Sequence, residues 1–145
     1  MTSDPIPAYS RISGYPGASA YNEVAFRHFL AADRRRAARG TQTLLLVLVG
    51  IRRSHGQCAL LSEATATAIF DALTASVREV DYVGWYRDGY IGAAVLPQSA
   101  RPDAAVRSAI AERLSRVLRA ALPGDHARQL RLRVIPLAGT SQGGT

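Results

Sequence analysis

The stretch "VDYVGWYRDGYIGAAVLP", residues 80–97, sets two β-rich runs on either side of Asp88-Gly89. Asp-Gly between such runs is among the strongest local hairpin signals, because the type I′ turn it favours needs positive φ at both central residues. The other elements must arrange themselves around this hairpin. Its tip, Arg87-Asp88-Gly89-Tyr90, brings an arginine, a carboxylate and a glycine close together. Such a set suits a worn catalytic loop, a binding loop or a plain turn.

Apolar spacing supplies the neighbours. Tyr21 to about Arg39 has a helical pattern, with Val24/Ala25, Phe29 and Ala32 on one face and Gly40 as a stop. "TLLLVLVGI", 43–51, is nearly all apolar, as expected of a central strand covered on both faces. "RRSHGQCALL", 52–61, is a connection. Ser62 suits the N-cap of a helix running to about Val80, with Ala66, Ile69/Phe70, Leu73, Val77 and Val80 at helical spacing. Beyond the hairpin, Pro102 and Asp103 open a helix carrying Val106, Ile110, Leu114, Val117/Leu118 and Ala121, closed by Pro123-Gly124. "QLRLRVIPL", 129–137, alternates apolar and arginine like a half-exposed strand.

Without the first helix the order is β-α-β-β-α-β, an α+β ferredoxin-like core with both crossover helices on one face of an antiparallel sheet. The N-terminal helix then covers more of the structure, which accounts for the apolar first strand. Residues 1–18, with Pro5, Pro7 and Pro16, read as a flexible lead-in; 19–138 form one domain, and 139–145 read as a disordered tail.

Composition narrows the function classes. The 145 residues are 48% hydrophobic, enough for one domain with a core. No apolar run approaches the roughly 18 to 20 residues of a membrane span, and no signal peptide precedes the domain, so a cytoplasmic protein is expected. The lone cysteine, Cys58, excludes an internal disulfide and reads as a small buried apolar residue. All 18 basic residues are arginine and the net charge is +7, which permits an anionic partner. The arginines are spread along the chain, and the densest run, Arg34-Arg35-Arg36, reads as a solvated helix end. With no interleaved aromatics, nucleic acid is not an expected partner. His28, His55 and His126 lie far apart, without metal-ligand spacing, and read as surface or satisfied histidines.

The element order, an entry through Ser13, Gly14 and Pro16, and the run "VREVDYVGWYRDGYIGAAVLP" together resemble the GGDEF, or diguanylate cyclase, domain. The resemblance covers roughly residues 12–138 and is best over 69–97. It implies the ferredoxin-like fold and a link to cyclic di-GMP, which the family makes from two GTP molecules with two metal ions. The departures imply a catalytically inactive member. The first-strand metal positions fall within Leu44–Ile51, which holds no acid, and Arg87-Asp88-Gly89-Tyr90-Ile91 stands in place of Gly-Gly-Asp-Glu-Phe. A glycine that lets phosphate approach is arginine, the catalytic acid is tyrosine, and Asp88 alone cannot hold two magnesium ions. No metal site or cofactor is expected, and an active nucleotide cyclase with a rearranged metal site is the less favoured reading.

Arg78 and Asp81 match the family's Arg-x-x-Asp product-inhibition site in type, spacing and offset from the hairpin. This implies an alternative role as a cyclic di-GMP receptor, with a guanidinium fork for phosphate or guanine and a carboxylate for a guanine edge. The competing reading puts Arg78 in the last turn of a helix and Asp81 at the turn into the strand. Trp85, Tyr86 and Tyr90 are read either as cross-strand sheet pairs or, with Arg87, as anchors for a protein partner or a homodimer. The "GWY…G…IG" hairpin is also similar to that of degenerate relatives associated with bacterial exopolysaccharide production. The resulting expectation is a regulatory or interaction domain in cyclic di-GMP signalling or exopolysaccharide control.

Overall fold

The computed structural model describes residues 20–40, 42–53, 55–98 and 101–137. The expected lead-in, with its Ser13–Gly17 entry, and the expected tail lie outside the described residues. Among the described residues nine elements follow in order: β1 (Ala20–Tyr21), α1 (Glu23–Ala38), β2 (Thr43–Ile51), α2 (Glu63–Ser76), β3 (Tyr82–Arg87), β4 (Ile91–Gln98), α3 (Ala104–Ala121), α4 (Gly124–Gln129) and β5 (Leu130–Leu137). The sheet order is β1-β3-β4-β2-β5. β2 runs antiparallel to β4 and β5, β3 antiparallel to β4, and β1 parallel to β3. The crossover through α2 therefore joins β2 to β3 across β4, and that through α3 joins β4 to β5 across β2. This is the split βαβ of the expected ferredoxin-like α+β core.

β2 has the length and the double-sided burial its composition requires. Leu45, Val47, Val49 and Ile51 enter a core with α2 and α3 residues including Ile69, Phe70, Leu73, Leu114 and Leu118. Leu44 and Leu46 enter a second core on the opposite face, with Phe26, Leu30 and Ala37 of α1. Successive strand residues point to opposite faces, so an uninterrupted apolar run buries both. α1 is the layer that makes this possible.

Two helix expectations need correction, and a short helix is added. In α1 the buried positions are Ala25, Phe26, Leu30 and Ala37, while Val24 is 56% exposed. Asn22 Oδ1 accepts from Ala25 N at 2.8 Å, so the helix starts at Glu23, two residues later than expected, and its inner stripe runs through Phe26, Leu30 and Ala37. α2 stops at Ser76 rather than near Val80, because Val77 is extended and the chain turns through Arg78–Asp81. Val80 is consequently 65% exposed. Pro123-Gly124 ends α3 and also starts the short α4.

β1 had no counterpart in the apolar pattern. It is held by its register to β3, Ala20 opposite Val83 and Tyr21 opposite Gly84, and by aromatic edges: Tyr21, Phe26 and Phe29 each meet Tyr82, at 6.4, 5.7 and 6.3 Å between centroids. The Tyr82 hydroxyl donates to Asp33 Oδ2 at 2.5 Å, and Arg36 pairs with the same carboxylate. Burial, and then the Asp33 carboxylate, push the Tyr82 phenol well above the usual tyrosine value.

Two outcomes follow. A Cβ on Gly84 would lie 2.6 Å from Tyr21 O and 2.9 Å from Phe26 Cδ1, so Gly84→Ala should cost about 1–3 kcal/mol in urea unfolding. For Tyr82, the native state keeps a proton that the unfolded chain releases near pH ~10. Its contribution is present below that pH and is lost as pH rises above it. Tyr82→Phe should lose about 1 kcal/mol at neutral pH and flatten the alkaline decline of stability; an unchanged alkaline slope would refute the assignment.

Candidate functional site

The hairpin tip differs in detail from the expected type I′ turn. Tyr90 N donates to Arg87 O at 2.9 Å, closing a four-residue turn. Gly89 has φ +81°, and among the described residues no non-glycine has positive φ. Positive φ at the third turn position alone is the signature of type II, not I′. Such a turn matches the strand twist less well, and β3 shows a register shift. Trp85 faces Gly92 and Arg87 faces Ile91, leaving Tyr86 as the extra residue.

Both sides of the tip are occupied by the chain itself. From α1, Glu23 Oε1 accepts from Asp88 N at 2.6 Å while its Oε2 pairs with Arg27, whose Nε donates to Tyr86 O at 2.9 Å. The Arg27 guanidinium lies 4.2 Å from the Tyr86 ring centroid. From the connection after β2, Leu61 N donates to Gly89 O at 2.8 Å. Leu60 Cδ1 stands 3.0 Å from where a Cβ on Gly89 would be. The side chain of Asp88 makes no hydrogen bond among the described residues and points into solvent.

The neighbouring end of β2 is apolar. A Cβ at Gly50 would meet Ile91 Cδ1 at 3.3 Å and Cys58 Sγ at 3.7 Å. Cys58 is exposed, contrary to its expected burial, and pairs with Arg52 in an isolated antiparallel bridge just beyond the end of β2. Among the described residues no three His, Cys, Asp or Glu side chains gather anywhere. His126 Nδ1 lies 3.3 Å from Thr65 Oγ1, and His28 packs edge-on against Phe29.

Arg78 and Asp81 do come together, though in a turn rather than in the last turn of α2. Asp81 Oδ2 accepts from Arg78 N at 2.7 Å and from Arg78 Nε at 3.2 Å; Oδ1 accepts from Nη2 at 2.9 Å. Nη2 also donates to Pro97 O at 2.6 Å, tying the turn to β4. The Asp81 side chain is 2% exposed and that of Arg78 is 57% exposed. The carboxylate holds the Arg78 guanidinium above its ordinary value, chiefly through the hydrogen bond. Beside the pair opens a cavity of about 470 Å³, lined by Tyr21, Thr74, Arg78, Val80 and Tyr82 among others. The arrangement offers a guanidinium edge to an anion. It does not offer a free carboxylate, since both Asp81 oxygens already accept from Arg78.

The aromatic group divides. Trp85 is 5% exposed and packs edge-on against Phe70 with centroids 4.9 Å apart, so it is a core residue and not a surface anchor. Tyr86 and Tyr90 are half-buried and Arg87 is exposed, with its guanidinium 5.1 Å from the Tyr90 ring centroid. Sequence reasoning missed Glu23, Arg27 and Pro97. Glu23 and Arg27 stand four apart at a helix start, a signal of an ion pair but not of its 65-residue reach to Asp88.

No family model matches the chain, and no curated protein does. Solved structures do. A sensory box/GGDEF family protein from Caulobacter crescentus matches with a TM-score of 0.61 and 20% identity, over 81% of this chain and 78% of that one. The GGDEF domain of DgcB from Caulobacter crescentus, solved in complex with c-di-GMP, matches with a TM-score of 0.54 and 14% identity, over 84% and 76%. At these identities the likeness is one of fold: the chain has the fold of GGDEF domains.

The tip geometry separates its two central residues. Gly89→Ala should cost about 1–3 kcal/mol, since it forces positive φ on alanine against Leu60. Asp88→Ala should stay within about 0.5 kcal/mol. Equal losses in urea melts would show that the aspartate, rather than the glycine, sets the turn.

Proposed function

We propose that this chain is a catalytically inactive module with the GGDEF fold that works by contact, in cyclic di-GMP signalling or exopolysaccharide control. The observation that carries the reading is the closed hairpin tip. Leu61 N and Leu60 occupy one side of Gly89, and Glu23 takes the Asp88 N–H on the other. A phosphate cradle needs free backbone N–H groups, and a two-metal reaction needs converging carboxylates. Here the Asp88 N–H is spent on Glu23 and the Tyr90 N–H on Arg87 O, and β2 ends in Gly50 and Ile51 rather than an acid.

A second reading has its own support. Arg78 lies exposed beside a cavity of about 470 Å³, and the DgcB domain of the same fold was solved with c-di-GMP. In this receptor reading Arg78 meets the ligand phosphate, and Asp81 acts by orienting the guanidinium.

Calorimetric titration of the purified chain with cyclic di-GMP, and with GTP plus Mg²⁺, distinguishes them. Silence toward both, with GTP left intact, is the outcome expected of the contact module. Saturable cyclic di-GMP binding that disappears in Arg78→Ala would replace it with the receptor. Turnover of GTP would end the inactive reading.

A further inference from the structure

The two faces of the sheet are unequally covered. Five strands about 4.8 Å apart span about 19 Å, room for two helices at the usual 8–10 Å axis separation. On one face α2 packs against β3 and β4, and α3 against β5. On the other, α1 packs over β3 and β2, and among the described residues nothing else covers the lane beside it along β2 and β5.

The lane has a distinct chemistry. Its floor is aliphatic: Leu48, Ile135 and Leu137 belong to the α1-side core but remain half-buried. Arg133 pairs in register with Leu48 and Arg131 with Gly50, so both arginines stand on this face, and both are exposed. Along α1, Phe29 and Asp33 turn to Tyr21 and Tyr82. Arg34 lies on the opposite flank by helical geometry. Its Nε is buried and has no hydrogen-bond partner among the described residues. No strand of the sheet carries an acid, and the two acids of α1 are committed, Glu23 to Arg27 and Asp88 N, Asp33 to Arg36 and Tyr82.

We infer that this lane, between α1 and the arginine-bearing face of β5, docks an acidic amphipathic helix of a partner protein. The apolar stripe of that helix would lie on Leu48, Ile135 and Leu137, and its flanking carboxylates would meet Arg131, Arg133 and Arg34. Charge selects this occupant. A second copy brings the same +7 and the same arginines. Residues 1–19 offer one acid, Asp4, and three prolines, and residues 138–145 offer no acid and no apolar side chain larger than alanine. Single-stranded nucleic acid binds where bases stack on aromatics, whereas the rings of Tyr21, Phe29 and Tyr82 lie at the far edge of the sheet. The inference gives the contact reading a surface, and its test does not depend on the nucleotide titration.

The test uses the full chain and two labelled synthetic helices with the same leucine stripe, one flanked by glutamates and one by lysines. Fluorescence anisotropy should show the glutamate helix binding at least about tenfold more tightly, with affinity falling as salt rises. The R131E/R133E double variant should lose that preference while keeping its circular dichroism melt, since both side chains are exposed. Equal affinity for the two helices, or undiminished binding by the double variant, would overturn the inference. So would a dimer in sedimentation that the double variant abolishes, tighter binding of a single-stranded DNA oligomer than of the acidic helix, or binding that appears only once residues 1–18 are deleted.

Discussion

A strand without one polar side chain from Leu44 to Val49 has no face it can turn to water. β2 is that strand, and it lies between β4 and β5 with its backbone bonded on both edges. Its odd-numbered residues require a helical layer, which α2 and α3 provide, and its even-numbered residues require another, which α1 provides. Each fully buried Val or Leu is worth about 1.5–3 kcal/mol relative to exposure. The three-layer arrangement is thus a consequence of β2, and the hairpin of β3 and β4 is placed by its pairing with that strand.

The same placement decides what the hairpin tip can do. A turn that presents backbone donors to an anion must leave them free, and here the Asp88 and Tyr90 N–H groups are taken by Glu23 and by Arg87 O. Glu23 and Leu61 reach it from two different layers, so the tip serves as a junction between α1 and the connection leading into α2. The Arg78–Asp81 turn has a related character. Its carboxylate is buried and fully used, while its guanidinium is partly presented to solvent and partly anchored on Pro97 O. In both places the side chains that first suggest chemistry are largely engaged in holding elements together.

The order of elements was legible because each carries a strong local signal: the all-apolar run of β2, the period of α2 and α3, the Asp-Gly turn, the alternation in β5. What escaped depends on distance. A two-residue strand such as Ala20–Tyr21 has no periodicity to detect, and its pairing to β3 arises from aromatic packing about sixty residues along the chain. The end of α2 was misplaced because Val77 and Val80 fit a helical stripe, while the Arg78–Asp81 turn that wins depends on a side-chain cap. Trp85 illustrates the limit for the site. Its position beside Tyr86 and Arg87 suggested an exposed group, but strand alternation and the bulge at Tyr86 send it into the core against Phe70.

The sheet also separates two cores of unequal size that share only its strands. The α2–α3 side gathers residues from both crossover helices and from every strand, whereas the α1 side rests on Phe26, Leu30 and Ala37 set against Leu44, Leu46, Ala93 and Val95. Local opening follows the weaker cover. α1, which covers the smaller core, is therefore the unit expected to open first, and its release would free the Asp88 and Tyr86 backbone groups held by Glu23 and Arg27. A pull on the chain ahead of Ala20 would reach the hairpin tip through that unit, which makes the N-terminal helix a mechanical handle on the loop at the far end of β3.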